Sequence, residues 1–198
     1  MKKYAFDLDG TVTKVETLPL LAEELGLSAE MKILTNLTVS GEISFEKSFK
    51  LRYFILRNIP LNRIRQIMDS VELDENIADF IRENKEACSI VTGNLDYWIE
   101  PIINKLGCMS YSSTSEMDRN GNPVLTNILD KRAAIRQMKA GADRIIAIGD
   151  GFNDLPMFEE ADISIVYAGV HLPIRAAISA ADYAVFDGAA LCQLLKNL

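Results

Sequence analysis

The feature that most limits how this chain can fold is a rhythm. Short apolar runs rich in β-forming residues recur at 4–6, 88–91, 144–148, 163–167 and 183–186. Segments of helical period stand after the second run and between or after the later ones, at 94–106, 130–140, 154–161, 173–180 and 189–198. Strands that are short, nearly all apolar and separated by helices are the mark of a parallel sheet covered on both faces. The expected fold is therefore α/β, with a Rossmann-like parallel sheet as its core.

The stretch 14–73 breaks the rhythm. It has helical periodicity at 17–25, 29–37, 44–56 and 61–71, punctuated by Gly26, Gly41 and Pro60, and no buried strand. It reads as a helical insertion after the first strand, leaving 1–13 and 74–198 as the core. Asn120-Gly121 is a tight-turn signal and predicts a small hairpin between 111–117 and 124–128.

Composition narrows the function. With 198 residues, 48% hydrophobic and 25% charged, the chain is neither disordered nor fibrous. A formal charge of −7 argues against nucleic acid as a partner, though a small anionic ligand remains compatible. No run approaches the ~18 apolar residues of a membrane span. Met1-Lys2-Lys3 resembles the start of a signal peptide, but Asp7 and Asp9 interrupt the apolar stretch that should follow. Cys88, Cys108 and Cys192 are widely spaced, with no CxxC pair, and read as reduced thiols. A cytoplasmic setting is expected. The single histidine, His171, excludes sites built from several imidazoles. It lies in Gly169-Val170-His171-Leu172-Pro173, with no nucleophile elbow nearby to suggest a triad.

Four motifs stand at strand ends or helix starts. In Asp7-Leu8-Asp9-Gly10-Thr11, extended backbone puts both carboxylates on one side, where they attract a divalent cation and their repulsion keeps one protonated. Gly10 permits a sharp exit from the strand. Val91-Thr92-Gly93-Asn94 offers a hydroxyl and close backbone approach, with a helix expected to start near Asn94 and aim its N-terminus at the same place. Lys131 opens a helix, against the macrodipole; serving an anion explains that, and a solvated surface lysine is the plainer alternative. Gly149-Asp150-Gly151-Phe152-Asn153-Asp154 sets acidic residues at a strand's C-terminal end and lacks the third glycine of a dinucleotide fingerprint.

In this order the four motifs resemble those of the haloacid dehalogenase-like superfamily of aspartate-dependent phosphohydrolases, and the resemblance spans nearly the whole chain. Glu16, the stretch Gly41-Glu42-Ile43-Ser44-Phe45-Glu46-Lys47-Ser48 followed by Arg52, and the last motif with Leu155-Pro156-Met157-Phe158 are similar to the phosphoserine phosphatase branch. The first motif carries Leu8 and Gly10 where many of that branch have Phe and Ser. The second reads Thr92-Gly93-Asn94 where Ser-Gly-Gly is usual.

The resemblance implies a helical cap at 14–73 and a site in which Asp7 attacks phosphorus, with Asp9 as acid and then base. Mg²⁺ would be held by Asp7, Asp9 through its carbonyl, and Asp150. Thr92 and Lys131 would bind the remaining phosphoryl oxygens, and Gly93 and Asn153 would be further substrate contacts. Asp154 would orient Lys131 or a metal-bound water. Arg52 would take a substrate carboxylate and Glu16 an ammonium, with Phe45 and Val39 as apolar walls. The implied partner is a small phosphorylated metabolite, O-phosphoserine first. A phosphatase or phosphotransferase for another metabolite and a phospho-accepting signalling module are the alternatives.

Overall fold

The computed structural model describes residues 1–198. A sheet of seven strands runs in the order β4-β3-β2-β1-β5-β6-β7. The strands are β1 (Lys2–Phe6), β2 (Cys88–Leu95), β3 (Met109–Met117), β4 (Pro123–Asn127), β5 (Arg144–Gly149), β6 (Ile163–Tyr167) and β7 (Tyr183–Val185). All neighbours pair in parallel except β3 with β4.

The alternation of side chains explains how the sheet is covered. Phe6 pairs in register with Ile90 and Ile148, and these side chains face a large core that also holds Ile77, Phe80, Trp98, Leu191 and Leu195. Ala5 pairs with Ala147 and faces a smaller core with Val91, Ala134, Ile135, Met138, Met157 and Ala177. On the first face lie α5 (Glu75–Glu83), α6 (Asp96–Leu106) and α10 (Gly188–Asn197). On the second lie α7 (Lys131–Lys139), α8 (Leu155–Glu160) and α9 (Arg175–Ala180).

Between β1 and α5 the chain holds α1 (Thr17–Leu21), α2 (Ser28–Val39), α3 (Phe45–Leu56) and α4 (Leu61–Asp69). The expected first helix ends early: its second half is a short 3₁₀ turn, Ala22–Leu25, closed by Gly26 at φ 68°. A single antiparallel bridge, Thr13 to Leu73, joins the way out to the way back. No helix is long and apolar enough to cross a membrane.

Two local expectations need correction, the start of one helix and the width of one turn, and one helix was not expected. The expected helix at Asn94 starts at Asp96, and Asn94 lies inside β2. The expected hairpin forms, β3 antiparallel to β4, and it extends the main sheet because β3 also pairs with β2. Its turn is wider than a two-residue loop, with the Asp118 carboxylate accepting from the N–H groups of Asn120 and Asn122, both at 2.8 Å. Helix α5 was not among the expected elements. Its signal was present: Asp74 caps it by accepting from Asn76 and Ile77 N–H, and Ile77, Phe80 and Ile81 form its buried stripe.

Candidate active site

The C-terminal ends of β1, β2 and β5 meet where the strand order reverses, the usual ligand position in an open α/β sheet. Asp7 follows β1, Thr92 lies in β2 and Asp150 follows β5. Together with Asp9, Glu16, Phe45, Arg52, Gly93 and Asn153 they line one cavity, roofed by α2 and α3. Lys131 and Asp154 lie beneath it, both buried.

Lys131 is not on the surface. As the first residue of α7 its side chain runs into the sheet edge, with Nζ 2.5 Å from Asp7 Oδ1 and 2.6 Å from Asp154 Oδ1. Burial favours the neutral amine, but the Asp154 and Asp7 carboxylates outweigh it and keep the ammonium charged. The other oxygen of Asp154 accepts from the N–H groups of Asp150 and Gly151, each at 2.9 Å. Asp154 thus shapes the last motif and holds the lysine at once. Gly149 is needed there, because a Cβ on it would stand 2.6 Å from Asp154 Oδ2.

One ammonium cannot balance three neighbouring carboxylates. Burial pushes Asp7 well above the usual carboxylate range, Lys131 pulls it back, and the Asp154 and Asp9 charges add to the rise. Burial raises Asp150 in the same way, reinforced by Asp154 and Asp7. One oxygen from each of Asp7, Asp150 and Asp154 lies within 4.8 Å of the others. A compact, oxygen-only, anion-rich set suits a hard divalent cation such as Mg²⁺.

Asp9 is held by Thr17, which carried no motif signal, and by Asn94 of the second motif. Its Oδ1 accepts from Thr17 N–H at 2.9 Å and from the Thr17 hydroxyl, and its Oδ2 accepts from Asn94 Nδ2 at 3.3 Å. Its carboxyl is raised by burial and then by the charge of Glu16, while the Thr17 and Asn94 bonds oppose the rise. The expected repulsion between Asp7 and Asp9 shows in the rise of Asp7, while burial and Glu16 lead for Asp9. Because Asn94 sits in β2, the second motif contributes this side-chain amide instead of a helix N-terminus. Thr92 is buried, and its hydroxyl accepts from Asn94 N–H at 3.1 Å.

At the other end of the cavity Arg52 is 4% exposed yet forms no ion pair with a carboxylate within 4.0 Å. Its Nη1 donates to Thr35 Oγ1 at 3.3 Å, its Nε has no partner, and it lies 5.9 Å from the Phe45 ring centroid. Burial lowers its pKa, while Glu16 and Asp9 raise it. Glu16 is partly buried, and its Oε1 is 2.9 Å from His171 Nε2. The helical insertion closes tightly here. A Cβ on Gly93 would overlap the Phe45 ring, and one on Gly41 would meet Phe152 at 2.7 Å. Val39 approaches Gly151 beside them. Thr35 and His171 carried no motif signal, since their roles come from Arg52 and Glu16, 17 and 155 positions away.

A haloacid dehalogenase-like hydrolase family model matches residues 4–159. The chain is 28% identical over 182 residues to the phosphoserine phosphatase of Methanocaldococcus jannaschii, covering 84% of this chain and 85% of that one. It is 28% identical over 176 residues to the phosphoserine phosphatase of Archaeoglobus fulgidus, covering 82% of this chain but only 51% of that protein. Among solved structures, a phospho-aspartyl intermediate analogue of phosphoserine phosphatase matches over the full length of both chains with a TM-score of 0.83 at 24% identity. A substrate-bound phosphoserine phosphatase complex matches with a TM-score of 0.83 at 22% identity, over 100% of this chain and 99% of that one. These two structural likenesses speak to the fold.

Proposed function

Because the chain belongs to the haloacid dehalogenase-like hydrolases, we propose that it hydrolyses a phosphomonoester through Asp7, with O-phosphoserine as the substrate. The observation that carries this reading is Arg52, a buried guanidinium with an unpartnered Nε, in the same cavity as Asp7 and Glu16. A buried charge without a partner is costly, so the site is complementary to an anion it does not itself supply. A carboxylate on Arg52, an ammonium on Glu16 and a phosphoryl group at Asp7 describe a phosphorylated amino acid. The relatives named phosphoserine phosphatase support the same choice.

In this reading 14–73 is a cap over the core, 1–13 and 74–198. The Asp7 carboxylate attacks phosphorus and the bond from phosphorus to the serine oxygen breaks. Asp9, whose carboxyl is raised by burial and by Glu16, gives its proton to that leaving oxygen. Asp9 then takes a proton from water; the water oxygen bonds to phosphorus and Asp7 is released with inorganic phosphate. Lys131 offsets the charge on Asp7 so that a phosphate dianion can approach. Thr92, Gly93 and Asn153 are the remaining phosphoryl contacts. Asp7, Asp150 and the Asp9 carbonyl would hold Mg²⁺, which when bound neutralises charge on the phosphoryl oxygens.

The test is kcat/KM for phosphoserine, phosphoethanolamine, phosphoglycolate and an aryl phosphate, in the wild type and in Arg52→Ala. Phosphoserine should lead phosphoethanolamine by on the order of 30-fold or more, since an unpaired buried charge costs about 2–5 kcal/mol. Arg52→Ala should remove most of that lead and change aryl phosphate turnover much less. Equal rates for the first two substrates in the wild type would overturn phosphoserine as the substrate.

A further inference from the structure

Asp150 lines the cavity that holds Asp7 and Asp9, but its Oδ2 is enclosed and meets no hydrogen-bond donor. That oxygen faces Gly10 and His171: a Cβ built on Gly10 would stand 2.6 Å from it and 3.1 Å from His171 Cδ2. Gly10 has φ 76°, so the absence of a side chain both permits the turn and keeps this space open. The ring atom next to that carbon, His171 Nε2, meets Glu16. One ligand atom from each of Glu16, Asp150 and His171 lies within 4.8 Å of the others.

We propose that Glu16, Asp150 and His171 form a second cation site, for a borderline divalent ion of the Zn²⁺ or Co²⁺ class, sharing Asp150 with the oxygen-only cluster. An imidazole beside two carboxylates is a donor set such ions accept, whereas Mg²⁺ selects oxygen ligands. Ligands about 2.0–2.2 Å from one ion stand roughly 3.4 Å apart in a tetrahedron, a contraction that side-chain rotation can supply. Neither Glu16 nor Asp150 is paired with a lysine or arginine within 4.0 Å, whereas Asp7 and Asp154 already share Lys131. Three protein ligands leave a position for water. If Glu16 receives the substrate ammonium, a point that rests on the proposed function above, an ion bound here competes with substrate for that carboxylate.

His171 is the only histidine in the chain, so the ring nitrogens of untagged protein labelled with ¹⁵N-histidine report on this site alone. Zn²⁺ is added to metal-stripped full-length protein in the presence of excess Mg²⁺. The Nε2 resonance should move to the position of a metal-bound nitrogen at one equivalent. By calorimetry, His171→Ala and Glu16→Gln should each weaken Zn²⁺ binding by at least about tenfold. An unmoved ring nitrogen at saturating Zn²⁺, or equal Zn²⁺ affinity in a folded His171→Ala, overturns the proposal. The ring signal needs no variant, so the proposal stays testable if the substitution impairs folding. Neither readout uses turnover, so loss of the phosphoserine reading would leave both measurements decisive.

Discussion

Asp7 and Asp154 share one ammonium while Asp150 crowds beside them with no cation of its own, and that imbalance sets how the site answers to pH and metal. A carboxyl whose pKa is raised on folding binds protons more tightly in the folded state. It therefore destabilises the fold as pH climbs from the ordinary carboxylate range up through the raised value, and has no effect below that range. Asp150 is such a group, through burial and the charges of Asp154 and Asp7. Asp150→Asn should accordingly melt a few degrees above the wild type at pH 7 without metal, as about 1 kcal/mol moves Tm by roughly 2–4 °C at this size. The advantage should fade as pH falls toward about 4. Mg²⁺ should raise the Tm of the wild type and leave that of the variant almost unmoved. Calorimetric scans at several pH values, with and without Mg²⁺, test all three. A variant less stable than the wild type at pH 7 in metal-free buffer would refute the account of crowding.

Helix α5 shows how one side chain can secure an element and tie it to its surroundings. Asp74 Oδ1 accepts from Asn76 and Ile77 N–H at 3.1 and 3.3 Å, and its Oδ2 accepts from the Tyr167 hydroxyl on β6 at 2.9 Å. Its own N–H donates to Val12 at 2.9 Å, where the chain leaves β1. Asp74→Ala should cost about 1 kcal/mol for the cap and about 1.5–3 kcal/mol more for the bond to a charged acceptor. Tyr167→Phe should lose only the second part. Urea unfolding of the two variants separates the terms; equal losses would mean that the cap contributes nothing.

At the scale of the whole molecule, Glu16 and His171 join the exit of β1 to the loop between β6 and α9, 155 positions apart in sequence. The hydrogen bond to Glu16 raises the His171 pKa, with burial opposing. A histidine whose pKa rises on folding contributes stability in full below its unfolded value, near 6.5, and loses it as pH climbs through the folded value. The stability difference between wild type and His171→Ala in chelator should therefore be largest at about pH 6 and shrink steadily toward about pH 9. Urea midpoints over that range check it. A difference that is flat or grows with pH would show that the pair is not a charged contact.

The period of the apolar runs was enough to yield the parallel sheet, because a buried strand and an amphipathic helix each carry their burial in local spacing. Placement of Asp7 and Asp150 directly after strands followed from the same spacing, whereas Thr92, expected at a strand end, lies inside β2 yet lines the same cavity. Asp74 and the Ile77, Phe80, Ile81 stripe were equally local, and α5 was legible although it was not read. Other features had no local signature. Asn94 follows a strand and is a good helix cap by type, yet pairing with β3 carries β2 through it to Leu95. Lys131 at a helix start looks solvated until Asp7 and Asp154 approach it from 124 and 23 residues away. Arg52 is indistinguishable from a surface charge until α2 and Phe45 bury it, and His171 has no role until Glu16 reaches it. Spacing along the chain encodes which face of an element is dry. Which charges share that dry space depends on contacts between distant segments, and the folded chain alone decides them.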